Sequence, residues 1–124
     1  MRYLCLVHFD GNEVFGKLDA PGKIQLDIDS LGYNEELEAS GNLVATQALQ
    51  SANTAVLVRV REGRVSTTDG PFIETKEQLA GFILIEARDL NEAIRIASGI
   101  PLAKLGTIEV RAIYDIPRHE GAAP

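Results

Sequence analysis

Ser66-Thr67-Thr68-Asp69-Gly70-Pro71-Phe72-Ile73-Glu74-Thr75-Lys76-Glu77-Gln78-Leu79-Ala80-Gly81-Phe82 packs a turn, a cap and the opening of a strand into consecutive residues. Asp69-Gly70-Pro71 reads as a turn. Gly70 stands before a proline, whose ring pushes the preceding residue towards an extended or positive-φ conformation that a side chain resists. An Asp side chain ordinarily accepts from the amide two residues on, but Pro71 has no N–H. The Asp69 carboxylate is therefore left to the amides of Phe72 or Ile73, the Thr75 hydroxyl, or solvent. Phe72 is expected to bury its ring and anchor the loop. Thr75-Lys76-Glu77-Gln78 has the pattern of a capping box opening one helical turn, and Gly81-Phe82-Ile83-Leu84-Ile85 that of a buried strand.

Upstream of this stretch, Thr54 to Arg61 is a strand with Val56, Val58 and Val60 on one face and Leu57, Arg59 and Arg61 on the other. Glu62-Gly63 turns it into Arg64-Val65-Ser66-Thr67, a hairpin whose second strand delivers the chain to Asp69. Tyr3 to Phe9 is apolar in both alternating sets, so it is expected at the centre of a sheet, covered on both faces. Asp10-Gly11-Asn12 begins a loop, and Asp19-Ala20-Pro21 resembles a helix start. That helix is expected from about Gly22 to Ser40, closed by Gly41 as a left-handed cap.

The helix carries two apolar stripes, Ile24, Ile28 and Leu31 on one face and Leu26, Tyr33 and Leu37 on another, where a surface helix needs one. Either Gly32 bends it, or one stripe covers the sheet while the other meets the loop from Gly11 to Asp19 or a second subunit. The cluster Glu35, Glu36, Glu38 reads as a solvated face. Asn42 to Ala52 is a long connection with weak strand character at Leu43-Val44. Downstream, Phe82 to Ala87 is a strand and Asp89 caps a second helix with the stripe Leu90, Ala93, Ile94 and Ala97. Gly99-Ile100-Pro101 ends that helix. Thr107 to Tyr114 is the last strand, and a loose tail is expected from His119 to Pro124.

Apart from the extra hairpin strand, the order is strand, helix, strand, strand, helix, strand. This is the order of an α+β, ferredoxin-like split βαβ fold, with an antiparallel sheet and both helices on one face. The other face would carry several of Leu57, Arg59, Arg61, Glu109 and Arg111 beside apolar residues. A mixed face of that size is usually completed by a partner.

At 124 residues the chain is long enough for one domain and too short for two. Hydrophobic residues make 45% and charged residues 24%, the ordinary globular balance, which indicates neither disorder nor a membrane protein. The net charge of -6 has no basic run, which argues against direct nucleic-acid binding. The apolar start ends at His8-Phe9-Asp10-Gly11 with no small-residue cleavage site and nothing near spanning length, so a cytoplasmic location without membrane contact is expected. The single cysteine, Cys5, excludes an internal disulfide and reads as a core residue.

Thr68-Asp69-Gly70-Pro71-Phe72, Glu74-Thr75-Lys76-Glu77-Gln78-Leu79, Gly81-Phe82 and Gly106-Thr107-Ile108-Glu109-Val110-Arg111 together closely resemble the DGPF-domain proteins of the YCII-related superfamily. The likeness extends from Met1 to about Ile116, leaving residues 117–124 as a tail. It implies a ferredoxin-like fold and a homodimer, a dimeric α+β barrel whose two sheets face each other around a cleft. In the wider superfamily a histidine of the first helix, paired with an aspartate in an Asp-Pro-Phe stretch, is the suspected catalytic dyad. This chain departs at both positions, since its first helix has no histidine and the corresponding stretch is Ile100-Pro101-Leu102. Such proteins are often encoded beside extracytoplasmic-function sigma factors, which implies a regulatory or stress context.

Candidate chemistry is sparse. His8 ends a central strand, where it is either an acid or base of the cleft or a hydrogen-bonded structural histidine. Two distant histidines and one cysteine give no metal-ligand spacing, and no phosphate loop, nucleophile elbow or paired-carboxylate pattern occurs, so no cofactor is expected. Arg59, Arg61 and Arg111 are either ordinary ion pairs or an anion site formed by guanidinium groups on neighbouring strands. Asp69 is either a turn residue or a cleft carboxylate, and Glu74, Lys76 and Glu77 are either an exposed turn or a charged lip. Two readings follow. One is a small ligand, anionic or neutral, held in a dimer cleft, with or without acid–base chemistry from Asp69 or His8. The other is an interaction or regulatory module tied to transcription. Whether the chain is an enzyme stays open.

Overall fold

The structure is a computed structural model and describes residues 1–119. Its framework is a four-stranded antiparallel sheet formed by β1 (Arg2–Phe9), β2 (Leu43–Ala48), β5 (Gln78–Glu86) and β6 (Thr107–Ala112), in the order β2-β5-β1-β6. The apolar strand β1 is central, as its double apolar pattern requires, and β5 pairs with it from Arg2↔Glu86 to Phe9↔Gln78. Two main helices, α2 (Ala20–Ala39) and α3 (Leu90–Gly99), cover one face. This is the expected ferredoxin-like α+β arrangement.

The core lies between that face and the helices. Tyr3, Cys5 and Val7 of β1 meet Ile83 and Ile85 of β5 in register, and Leu37 of α2 with Ala93, Ile96 and Ala97 of α3 closes over them. The alternate residues Leu4, Leu6, Phe82 and Leu84 share the opposite face and are only half-buried. Burial of α3 is rotated from the expected stripe. Ala93 and Ala97 are buried with Ile96, whereas Leu90 and Ile94 are exposed, because the sheet admits only small residues and one isoleucine beneath this helix.

Several elements differ from the sequence reading. Gly11–Lys17 is a helix, α1, because the Asp10 carboxylate accepts from the amides of Asn12 and Glu13 and turns the expected loop into a capped segment. Helix α2 begins at Ala20, with Asp19 accepting from the Gly22 amide, and runs unbroken through Gly32 to Ala39. Gly41 follows with φ +81°, as expected of a left-handed cap. Of the two stripes, Leu26, Tyr33 and Leu37 face inward, while Ile24, Ile28 and Leu31 stay 55–64% exposed. The weak strand at Leu43-Val44 is the start of a full edge strand, β2. Its polar Thr46 fits because the hydroxyl donates to the Phe82 carbonyl at 2.9 Å.

The hairpin of β3 (Val56–Arg61) and β4 (Arg64–Asp69) has the expected turn, with Glu62 and Gly63 at φ +52° and +74°. Both of its strands stand outside the main sheet and pair only with each other. The second strand of the ferredoxin-like order is therefore β2, and the hairpin is an insertion between β2 and β5. One of its faces presents Val56, Val58, Val60 and Val65, each more than half exposed. The other presents Arg59, Arg61 and Arg64.

Candidate functional site

The Asp-Gly-Pro-Phe loop leads from β4 to β5. Gly70 has no positive φ. It precedes a cis peptide to Pro71, its amide donates to the Ala55 carbonyl at 2.8 Å, and a Cβ there would lie 3.1 Å from that of Ala55. Close packing on Ala55, not handedness, thus explains the glycine. Phe72 does not bury its ring. It is 72% exposed, since the loop passes outside the core. Thr75 to Gln78 does not form a helical turn. The Gln78 side-chain amide donates instead to the carbonyls of Ile73 and Thr75, holding the segment as bends that run directly into β5. The Asp69 carboxylate is exposed and accepts no hydrogen bond among the described residues. Glu74 and Lys76 are exposed as well, and the Glu77 carboxylate accepts from the Thr107 hydroxyl at 2.8 Å.

The basic candidates are dispersed. Arg59 and Arg61 lie on the hairpin and Arg111 on β6, so they are not on neighbouring strands and the expected convergence within one sheet does not occur. Arg61 donates to the Val60 carbonyl, and Arg111 approaches Glu109 at 4.0 Å on an exposed surface. His8 lies beside β6, with its Nε2 3.0 Å from a Glu109 carboxylate oxygen. A carboxylate in that position fixes the imidazole's orientation. The Cys5 thiol is fully buried, and burial pushes its pKa up to about 11, so it holds its proton at neutral pH and supplies no nucleophile.

The more enclosed of two cavities has no counterpart in the sequence reading. A cleft of about 500 Å³ opens between α2, the β2–β5 pair and the segment after α3. Its floor is apolar, with Val7, Ile83 and Leu102, and its rim is polar, with Asp27, Asn34 and Gln47. Ile100-Pro101-Leu102 forms one wall and Asp27, Ser30, Leu31 and Asn34 of α2 another. The facing walls of the cleft are thus α2, the helix expected from Gly22 to Ser40, and Ile100-Pro101-Leu102, the two segments in which the resemblance implies the dyad. Neither the histidine nor the aspartate is present. The polar residues of α2 on the flank of Tyr33 were the available signal. They were obscured because strand β2, which forms the cleft's other side, was read as a connection.

Tyr33 lines this cleft, but its hydroxyl is committed, donating to the Ile96 carbonyl at 2.6 Å and tying α2 to α3. Burial, followed by the nearby Glu36 carboxylate, raises its pKa, so the phenol stays protonated at neutral pH. A second groove of about 690 Å³ follows the other flank of α2 between Gly22 and Lys104. No strand residue lines it; Leu18, Leu26, Ile28 and Leu105 give it an apolar surface, and it is the more open of the two. Among the described residues no three His, Cys, Asp or Glu side chains are grouped to hold a metal ion, and no helix is long and apolar enough to cross a membrane.

Comparison with known proteins adds three findings. Residues 1–117 match the sequence model of the YCII-related domain. An uncharacterized protein of Rhizobium meliloti (strain 1021) is 38% identical over 76 residues, which is 60% of this chain and 61% of that protein. The match thus spans less than two thirds of that relative's length. Among solved structures, the 5-chloro-2-hydroxyhydroquinone dehydrochlorinase of Burkholderia phenoliruptrix AC1100, in complex with 2,5-dihydroxybenzoquinone, superposes with a TM-score of 0.54 at 16% identity, covering 92% of this chain and 94% of that one. At that identity the likeness is one of fold.

Proposed function

The chain belongs to the YCII-related domain family, and from that premise we propose that it binds a small organic molecule in the cleft between α2 and the sheet, as a homodimer. The observation that carries this reading is the cleft itself, with an apolar floor from the sheet and a few polar groups at its rim. Small-molecule sites generally have this form, and about 500 Å³ lies within their usual range. The fold neighbour's quinone complex is consistent with a ligand of single-ring size. Catalysis is no part of the proposal. The cleft holds no histidine, the thiol is buried and Tyr33 is occupied, so binding is the activity its residues support.

The dimer is supported by what the single chain leaves uncovered. Leu4, Leu6, Phe82 and Leu84 form a half-buried sheet face without helices, and the hairpin presents four exposed valines of its own. A free two-stranded hairpin is marginal in water. Tyr114 and Ile116, exposed at 77% and 81%, extend past β6 in the same state. The test of the cleft is an Ala48→Trp variant, which places an indole in its mouth. It should keep the dimer's mass and melting temperature while losing every small molecule that the unaltered protein retains in native mass spectrometry. Undiminished retention would place the ligand elsewhere.

A second reading, an interaction module, is favoured by the outward stripe of α2, where Ile24 and Ile28 are exposed beside Leu31 at the cleft's edge. If Ile28→Glu leaves the dimer intact by light scattering, that stripe is free in the dimer and available to another protein. If the dimer dissociates, the stripe is its seam and this reading loses its surface.

A further inference from the structure

Resting on the cleft reading above, we infer that the cleft selects a small cation, a protonated amine on an apolar ring or chain, rather than an anion. Asp27 is the charged residue in its lining, and no lysine, arginine or histidine lines it. The Asp27 carboxylate is exposed at the rim and has neither a salt bridge nor a hydrogen bond among the described residues. The helix that carries it adds a field of the same sign, since Asp29, Glu35, Glu36 and Glu38 accompany it against Lys23 alone. An anion entering here would lose hydration, meet no counter-ion and approach a carboxylate. An ammonium group gains a charge-assisted hydrogen bond to Asp27, while its ring or chain displaces water from Val7, Ile83 and Leu102. The amide groups of Asn34 and Gln47 serve either kind of ligand and do not discriminate between them.

A matched series separates these terms. Phenethylamine, phenethyl alcohol and 3-phenylpropionate have the same ring on a similar chain and differ in the head group. Each is titrated into the unaltered protein and followed by amide chemical shifts, with Ala48, Gly81 and Leu102 reporting the cleft. The expected result is binding at these amides with the amine at least about tenfold tighter than the carboxylate and the alcohol in between. Asp27→Asn should collapse the range to within about twofold. Asp29→Asn, which removes the same charge from the same helix outside the cleft, should leave the order intact. Equal or tighter binding of 3-phenylpropionate, or an unchanged order in Asp27→Asn, overturns the inference while the cleft reading stands. Shifts confined to residues outside the cleft, or no shifts at millimolar concentration with all three probes, overturn the cleft reading and the inference together.

Discussion

Gly106→Ala tests whether the Gly-Thr-Ile-Glu-Val-Arg segment is there for packing or for function. Gly106 immediately precedes β6, and its amide donates to the Leu102 carbonyl at 2.9 Å. A methyl group on its Cα would overlap the His8 carbonyl oxygen and lie 2.8 Å from the Phe9 Cβ and 3.1 Å from the Phe9 Cα. Comfortable carbon–carbon contact is about 3.5–4.0 Å, so the ends of β1 and β6 must separate. Backbone atoms cannot rotate aside as a flexible side chain does. The overpacking cost should therefore fall at the upper end of its usual range, about 3 kcal/mol, reduced by up to about 1 kcal/mol because alanine restricts the unfolded chain. With an unfolding entropy of about 2.1 cal/mol/K per residue, a net 2–3 kcal/mol lowers the melting temperature by roughly 8–11 °C for a chain of 124 residues. Differential scanning calorimetry reads this directly, and phenethylamine titration at matched folded fraction reads the cleft. A melting temperature within about 2 °C of the parent would show that the strand ends yield freely. The crowding argument would then be wrong.

Gly32→Ala is the counterpart within α2, where an added Cβ meets nothing within 4 Å. It should stabilise by about 0.5–1 kcal/mol, raising the melting temperature by a few degrees, and a loss of stability would show that the helix does bend there. Cys5 should make the fold alkali-sensitive. Its thiol ionises near 9.0 in the unfolded chain and about 11 in the folded one, so its contribution is complete below pH 9 and is lost as the pH rises to 11. Urea midpoints at pH 8 and 11 should then show the parent losing about 2–3 kcal/mol more than Cys5→Ala, and parallel losses would refute this. Asp69→Asn, at an exposed carboxylate without a described partner, should change stability by less than about 0.5 kcal/mol in urea titration. Leu6→Glu, on the uncovered sheet face, should yield monomers by light scattering while the far-ultraviolet circular dichroism is retained. A persistent dimer would move its seam to the helices or the hairpin.

What was legible in the sequence is what depends on local chemistry. The doubly apolar β1, the Asp19 and Asp89 caps, the Glu62-Gly63 turn and the glycine ending at Gly41 each announce themselves within a few residues, and each is present. Features set by long-range partners were less legible. β2 reads as a polar connection because an edge strand keeps its hydrogen bonding through one neighbour, here β5, and needs no apolar alternation. Phe72 was expected inside because phenylalanine usually is, yet nothing in its neighbourhood specifies whether the loop passes over the core or beside it. The arginines misled for a related reason. Arg59 and Arg61 alternate correctly with Leu57, but alternation gives a face of a strand and not the sheet to which the strand belongs. The candidate cleft was hidden most fully, since its lining comes from five separated segments and its clearest polar residue, Asp27, lies on a helix whose acidity reads as ordinary solvation.

The departures at the resemblance's dyad bear on what kind of protein this is. Had the whole cleft been abandoned, the positions facing it would be expected to fill, because an open apolar floor forgoes packing contacts that a larger side chain would gain. They have not filled. Gly81 lies at the bottom of the cleft, where a Cβ would stand 2.7 Å from the Gln47 carbonyl, so the floor is held down by the close approach of β2. Ala48 and Ala80 keep the adjacent mouth small-sided. Ile100, where an aspartate would belong to the dyad, is 4% exposed and built into the core. That wall is therefore packing, while the volume beside it remains open and its rim carries, from the opposite wall, the Asp27 carboxylate, which is unpaired among the described residues. If the cleft binds as proposed, its open volume serves an occupant, and the charge of Asp27 is the property expected to choose it.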